Sequence, residues 1–276
     1  MNLPPLPEPL PHPVIDSHCH LDTAFEMSGL DPADAIERAA EVGVTRIVQI
    51  GCDLAGARFA VEAAERWDGV IAGVAIHPND AARMRPDELP LALAEIEQLA
   101  RRPRVRAIGE TGLDHYRTRD EAGHQTQRDA FAWHIALAQA TGKTLVIHDR
   151  DAHADVLDVL DAEGVPERVV MHCFSGDADF ARACLDRGAW LSYAGPITFK
   201  PNEQLRAALR ITPLDRILTE TDAPYLTPVP YRGRANASYL IPHTARFMAE
   251  VLDRDLVEVC RALEQNAYAA FGGPWG

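Results

Sequence analysis

The chain has 276 residues, of which 47% are hydrophobic and 25% are charged, as is ordinary for a globular domain. Its 27 Lys and Arg are outnumbered by 41 Asp and Glu, so the formal net charge of −14 argues against a broad basic surface that coats nucleic acid. No apolar run approaches the roughly 20 residues that a membrane-spanning helix needs.

The first thirteen residues, MNLPPLPEPLPHP, are rich in proline and lack the positively charged start and apolar stretch of a signal peptide. We expect residues 1–13 to form a loosely held, polyproline-like arm ahead of a single domain over residues 14–276. The five cysteines form no C-x-x-C pair, which predicts reduced thiols and a cytoplasmic location. A monomer is the expected state, because no repeated amphipathic surface calls for a partner.

Strand and helix signals alternate along the remaining chain. Asp31 and Pro32 predict the start of a helix that runs to about Val42, since Asp caps helices and Pro suits their first position. Gly43 ends this helix before the apolar run Val44–Ile50. Later strands are also preceded by glycine, as connections from helix to strand require.

Eight strands are predicted in this way, and the last two helices are expected near Thr244–Leu252 and Asp255–Ala270. The predicted strands are Val14–His20, Val44–Ile50, Val70–Ile76, Val105–Glu110, Lys143–His148, Arg168–His172, Ala189–Tyr193 and Arg216–Thr221. Continuously apolar strands favour a parallel sheet that helices cover. We therefore predict an α/β fold, a single-domain TIM (β/α)8 barrel, over a doubly wound open sheet.

Five of these strands end in residues that commonly bind metals. His18 and His20 are two apart on the first strand, so their side chains point to the same side. The fourth, fifth, sixth and eighth strands end in Glu110, His148, His172 and Asp222. In a barrel all of these strand ends surround one mouth, where barrel enzymes keep their chemistry.

Four imidazoles and two carboxylates are too many ligands for one tetrahedral ion with an open position. They suit two divalent ions that share a carboxylate and activate water for hydrolysis. Imidazole ligands favour zinc, manganese, iron or nickel, whereas magnesium prefers more oxygen. For each residue alone there is a simpler alternative: a hydrogen-bonded structural histidine, a surface carboxylate at Glu110, or a turn cap at Asp222.

Five longer motifs occur in order and together span nearly the whole chain beyond the arm: IDSHCHLD, GETGLDHYRT, IHDRDAH, HCFSGD and ETDAPYLTPVPYRGRANAS. In these motifs the chain resembles the TatD family of metal-dependent hydrolases. The resemblance implies an amidohydrolase-like TIM barrel with two divalent ions (Mg²⁺, Mn²⁺ or Zn²⁺) and nuclease activity, chiefly 3′-to-5′ on DNA. It also implies that His18 and His20 hold one ion, that His148 and His172 hold the other, and that Glu110 bridges them. Asp222 is then a ligand of the first ion and the residue that orients or deprotonates water.

Further residues near the predicted mouth are candidates for substrate contacts. Arg150 and Arg232 follow strands and have the guanidinium groups that grip phosphate oxygens. His77 follows the third strand and is expected either to reach a phosphate or to pack at the rim. Tyr116 and Phe174 are candidates for stacking on the bases of a single strand.

The leading hypothesis is therefore a two-metal phosphodiesterase, a 3′-to-5′ exonuclease whose partner is single-stranded DNA. Two alternatives stay open. One is an ester, amide or lactone hydrolase of the same superfamily, such as an aminoacyl-tRNA deacylase, since metal ions polarise carbonyl groups as well as phosphoryl groups. The other is a weakly active metal-binding scaffold.

Overall fold

The computed structural model describes residues 3–275 and contains one parallel sheet of eight strands in sequential order. The strands are β1 (Val14–Cys19), β2 (Val44–Gly51), β3 (Val70–Val74), β4 (Val105–Asp114), β5 (Thr144–Arg150), β6 (Val169–Met171), β7 (Trp190–Tyr193) and β8 (Ile217–Thr219). Beyond β8 the chain pairs with β1: the Asp222 amide donates to the His18 carbonyl and the His20 amide to the Ala223 carbonyl. The sheet is thus closed, and the predicted TIM barrel is confirmed.

Helices cover the outside of this barrel. They are α1 (Leu21–Ser28), α2 (Pro32–Glu41), α3 (Leu54–Arg66), α4 (Pro78–Ala81), α5 (Leu89–Ala100), α6 (Glu121–Thr141), α7 (His153–Glu163), α8 (Ala178–Asp186), α9 (Glu203–Ile211), α10 (Ile241–Leu252) and α11 (Leu256–Ala270). The start of α2 is as predicted, because the Asp31 side chain accepts a hydrogen bond from the Ala33 amide and Pro32 is the first helical residue. Gly43 then takes a left-handed φ of 90°, which a residue with a side chain rarely adopts. Among the described residues, no helix combines the length and the apolar character needed to cross a membrane.

Alternation along the strands divides the core into two layers. One set of side chains points outward and packs beneath the helices, and the other set fills the barrel interior. The interior set includes Ile15, Ile71, Val146 and Leu218, all at most 1% exposed. This interior cluster is apolar, and Ser17, a buried polar side chain on β1, pairs with Ser192 on β7.

The end of the barrel where the strands begin is closed by α11 and the residues after it. Phe271 and Trp275 pack into the interior cluster and are 1% and 2% exposed. Arg46 at the start of β2 donates to the Trp275 carbonyl, and Arg106 at the start of β4 donates to the Gly272 carbonyl. We refer to the opposite end, where the strands finish, as the open end.

The proline-rich arm is held more firmly than predicted. The Tyr239 hydroxyl donates to the Pro4 carbonyl at 2.8 Å, and Arg246 donates to the Pro9 carbonyl at 3.0 Å. Leu10 is 8% exposed and its amide donates to the Val42 carbonyl. A polyproline segment makes no internal hydrogen bonds, so its carbonyls are free to accept such donors. The expectation of a loosely held arm is wrong for residues 3–13, whereas the domain boundary at residue 14 stays a prediction.

Candidate metal centre

The structure brings the six predicted ligand side chains together at the open end of the barrel. Their positions follow from the strands: His18 and Glu110 lie within β1 and β4, and His148 lies within β5. His20, His172 and Asp222 lie one to three residues after β1, β6 and β8. This is the end at which barrel enzymes carry their catalytic groups.

Glu110 lies at the centre of the cluster and is 4% exposed. Its Oε1 atom is 2.6 Å from His148 Nδ1 and 3.2 Å from His172 Nε2. Its Oε2 atom is 3.4 Å from His18 Nε2 and 4.0 Å from His20 Nε2. The two carboxylate oxygens thus face two different pairs of histidines, as a bridging ligand must.

Asp222 completes the pair on the Oε2 side of Glu110. Its Oδ1 atom is 3.4 Å from His20 Nε2 and 3.9 Å from His18 Nε2. Its backbone has a φ of 55°, in the left-handed region that non-glycine residues seldom occupy and that is common at functional sites. We call His18, His20 and Asp222 the first half-site, and His148 and His172 the second half-site.

Side chains and carbonyls behind these residues fix their orientation. His20 Nδ1 is 2.9 Å from the Ile50 carbonyl, so its Nε2 atom faces Asp222. His148 Nε2 is 3.3 Å from Asp114 Oδ2, which also accepts a 2.8 Å hydrogen bond from Asn79. Such outer partners set the tautomer and basicity of ligating histidines. Asp114 was not predicted, because its local sequence does not show that it faces His148 on the neighbouring strand.

His77 was predicted either to reach a phosphate or to pack at the rim. The structure places it near the centre and not at the rim. Its Nε2 atom is 3.4 Å from Glu110 Oε1, and its Nδ1 atom accepts a hydrogen bond from the Asn79 amide. An imidazole that accepts at Nδ1 carries its proton at Nε2 when neutral. His77 therefore presents an N–H donor to the centre, which suits contact with an anionic oxygen.

Cys52 also reaches the centre and was not predicted. Its Sγ atom is 3.5 Å from Glu110 Oε2 and 3.8 Å from His20 Nδ1, and the residue follows directly after β2. A strand ending in cysteine was visible in the sequence as Ile50-Gly51-Cys52. It carried less weight there than a histidine or a carboxylate, because most cysteines are small packing residues.

The donor set fits a divalent cation. Both ring nitrogens of His18 lack a hydrogen-bond partner although the residue is fully buried. A buried polar group without a partner is costly, and a metal ion removes that cost for a ring nitrogen. Ring nitrogens of His18 and His20 and a carboxylate oxygen of Asp222 come within 4.8 Å of one another, as ligands of one ion would.

Opposite charges in the cluster stabilise each other. Burial by itself raises the pKa of Glu110, but His172 and His77 outweigh burial and hold that pKa well below its usual range. Burial lowers the pKa of His148, but hydrogen bonds to Asp114 and Glu110 raise it to about 9. Burial likewise raises the pKa of Asp222, and the adjacent His20 brings it below its ordinary value. Both carboxylates are thus kept ionised, as ligands must be.

The remaining candidates for substrate contacts divide into exposed and buried side chains. Tyr116 is 48% exposed, and the Arg150 guanidinium lies 4.0 Å from the centre of its ring. The Arg232 guanidinium lies 4.1 Å from the centre of the Phe199 ring. Phe174, in contrast, is 4% exposed and packs against Phe180 and Tyr193. The prediction that Phe174 stacks on a base is wrong, because this ring belongs to the core.

Comparisons with known proteins identify the family of the chain. Residues 15–272 match the family model described as TatD related DNase. The chain is 46% identical over 266 residues to an uncharacterized metal-dependent hydrolase of Mycobacterium tuberculosis, TatD, covering 95% of this chain and 99% of that protein. It is 36% identical over 260 residues to the uncharacterized metal-dependent hydrolase YabD of Bacillus subtilis, covering 94% and 98%.

Solved structures show the same fold. The crystal structure of YjjV, a TatD homologue from Escherichia coli, has a TM-score of 0.85 at 24% identity and covers 95% of this chain and 98% of its own. A hydrolase of the TatD family from Entamoeba histolytica has a TM-score of 0.83 at 20% identity, covering 96% and 100%. The barrel is therefore shared along its whole length.

Proposed function

The chain belongs to the TatD family of metal-dependent hydrolases, and from this membership we propose that it is a deoxyribonuclease that shortens single-stranded DNA from the 3′ end. The family model is described as TatD related DNase, which supports DNA as the substrate. The proposed cofactor is a pair of divalent ions drawn from Mg²⁺, Mn²⁺ and Zn²⁺. A monomeric state and a cytoplasmic location remain predictions.

One observation carries the proposal of two ions. Glu110 directs Oε1 to the second half-site and Oε2 to the first half-site, so a single carboxylate separates two sets of histidine nitrogens. Paired divalent ions supply water activation and charge neutralisation at the reacting phosphoryl group when they are bound.

The residues of this chain supply the other parts of the reaction. The Asp222 side chain belongs to the first half-site and is 15% exposed, compared with 5% for the Glu110 side chain. An ionised carboxylate at this position can orient a water molecule and accept its proton. The Nε2–H of His77 points into the same centre and can donate to a phosphoryl oxygen, which carries negative charge throughout the reaction.

The rim offers a place for the neighbouring nucleotide. Tyr116 presents an exposed ring that can stack on a base of any sequence. Arg150, 4.0 Å from that ring, brings a positive charge within reach of the backbone phosphate. One aromatic side chain and one arginine suit a short stretch of single strand. They also fit a chain whose net charge of −14 leaves no broad basic surface.

The proposal is tested by incubating the purified protein with single-stranded DNA labelled at its 5′ end, first with chelator and then with Mg²⁺, Mn²⁺ or Zn²⁺ restored. We expect a ladder of products that shorten stepwise only when metal is present. The Glu110→Ala protein, run in parallel, must be inactive, which excludes a contaminating nuclease. Absence of cleavage with every metal, in a protein that still binds metal, would reject DNA and direct the search to carboxylic esters and lactones.

A further inference from the structure

Glu220 is a fully buried carboxylate that lies just after β8 and was not among the predicted site residues. Its Oε1 atom is 3.0 Å from His172 Nδ1 and accepts a 2.8 Å hydrogen bond from the Cys173 amide. A buried carboxyl group is costly unless it is hydrogen-bonded, and these two contacts with Oε1 meet that need.

The contact with His172 has a direct consequence for the metal centre. When Nδ1 donates its proton to Glu220, the lone pair of His172 is on Nε2, which lies 3.2 Å from Glu110 Oε1. Glu220 also holds the Cys173 amide, and Cys173 has a left-handed φ of 44° that non-glycine residues seldom adopt. Glu220 thus fixes both the tautomer of His172 and the backbone that follows it.

Glu220 also lies close to a second histidine, His18. Glu220 Oε2 is buried and has no hydrogen-bond partner, and the same holds for both ring nitrogens of His18. One ring nitrogen of His18, one of His172 and one carboxylate oxygen of Glu220 lie within 4.8 Å of one another. The His18 and His172 rings are stacked, with centroids 3.7 Å apart and planes 20° apart. One carboxylate therefore lies beside a histidine from each half-site.

We propose that Glu220 is a positioning residue that orients His172 through Oε1 and His18 through Oε2, and so couples the two half-sites. A histidine that offers one nitrogen to a metal ion carries a proton on the other, and such a proton needs an acceptor. Glu220 Oε1 provides this acceptor to His172, and Oε2, which has no partner, is free to provide it to His18 when an ion binds. This inference concerns metal binding alone, so it does not depend on DNA being the substrate.

Two substitutions test the inference through the affinity for Zn²⁺, measured by competition with a chromophoric chelator. Glu220→Gln keeps the shape of the side chain but has a single acceptor oxygen, so one histidine loses its partner whichever way the amide is turned. In Glu220→Gln we expect the affinity for one of the two ions to fall by about 10–100-fold. In Glu220→Ala the affinity for both ions should fall. Wild-type affinity for both ions in both variants would overturn the inference.

Asn266→Ala serves as the control for a purely structural effect. The Asn266 amide donates to the Leu214 and Ile217 carbonyls at the opposite end of β8, away from the centre. This variant should lower Tm yet bind Zn²⁺ as the wild type does. If Asn266→Ala and Glu220→Gln lost affinity to the same extent, Glu220 would be only a general support of β8.

The inference can also be tested on the wild-type protein, so the test does not require the variants to fold. In zinc-loaded protein labelled with ¹⁵N-histidine, NMR of the imidazole nitrogens should show the proton of His172 on Nδ1 and that of His18 on the nitrogen facing Glu220. A proton on Nε2 of His172 would overturn the inference. A protein that passes this test but does not cleave DNA would contradict the proposed substrate and leave the role of Glu220 intact.

Discussion

The two ends of the barrel are built from the same eight strands but differ in what they contain. At the end where the strands begin, Phe271 and Trp275 close the interior with apolar surface. At the end where the strands finish, Glu110 lies among five histidines with distances of 2.6 to 4.0 Å. Apolar packing therefore stabilises one end, while the other end holds charged groups that are suited to bind a cation.

Two buried histidines show the same contrast. His134, on α6, has a partner for each ring nitrogen: the Ala130 carbonyl is 2.7 Å from Nδ1, and the Ile76 amide donates to Nε2 at 3.2 Å. His18, at the open end, has a hydrogen-bond partner for neither nitrogen. Both residues are 0% exposed, so burial alone does not separate a structural histidine from a ligand. His18 differs from His134 in that its ring nitrogens are unpaired and lie beside Glu110 and Asp222, where a cation can bind.

The largest effect is expected at the centre of the open end. Glu110→Ala removes the carboxylate shared by both half-sites, so turnover should fall by more than the roughly 10²–10⁴-fold typical of losing one proton-transfer group. The apolar end is untouched, so the circular dichroism spectrum should match that of the wild type. Activity assays with metal analysis check this prediction, and wild-type activity would show that Glu110 is not the bridge.

Asp222→Asn separates proton transfer from metal binding. The amide keeps one oxygen as a ligand but accepts a proton poorly, so kcat should fall by about 10²–10⁴-fold. The metal content of the purified variant should stay at the wild-type value. If the variant instead loses one ion while the remaining activity follows metal content, Asp222 acts chiefly as a ligand.

A substitution at the closed end should give the opposite pattern. Phe271→Ala leaves a cavity in the interior cluster and should destabilise the fold by about 3–5 kcal/mol. For a domain of this size the corresponding drop in Tm is roughly 10 °C. The kcat at 25 °C should stay near that of the wild type, because Phe271 packs in the apolar interior cluster, away from the metal-binding side chains. Thermal unfolding and activity assays on one preparation test this, and a large loss of kcat would show that the two ends are not separable.

The structural histidine also predicts a dependence of stability on pH. Burial lowers the pKa of His134 from 6.5 to about 4, so its neutral form is favoured in the folded state. The stability that the neutral imidazole of His134 gives to the folded state is fully present above pH 6.5 and is lost as the pH falls towards 4. In urea unfolding, the stability advantage of the wild type over His134→Gln should shrink by about 2 kcal/mol between pH 7.5 and pH 5. An advantage that is the same at both pH values would contradict the neutral, fully paired imidazole.

The smallest effect is expected at the rim. Tyr116→Ala removes an exposed ring and should raise KM for single-stranded DNA by the equivalent of about 1–3 kcal/mol, with little change in kcat. Leu91→Ala, which removes an exposed apolar side chain on α5, is the matched control and should change neither constant. Steady-state kinetics on short oligonucleotides decides the point, and unchanged KM in Tyr116→Ala would remove this ring from the substrate path.

The difference between the two ends also explains what the sequence could predict. The barrel and the six candidate ligands could be predicted from the sequence. The alternation of strands and helices indicates the fold, and in that fold the strand ends converge on one mouth. Glu220 and Asp114 were missed, because their partners, His172 and His148, are 48 and 34 residues away along the chain. Phe174 was misjudged for the related reason that local sequence did not reveal Phe180 and Tyr193 around its ring.

The most direct test of the central claim is anomalous diffraction at the zinc edge from crystals of the zinc-loaded protein. The arrangement of Glu110 predicts two peaks roughly 3.5–4 Å apart, one on each side of its carboxylate. The peak on the Oε2 side should lie among His18, His20 and Asp222, and the other beside His148 and His172. A single peak, or none with Glu110 still hydrogen-bonded to His148, would contradict the two-ion centre.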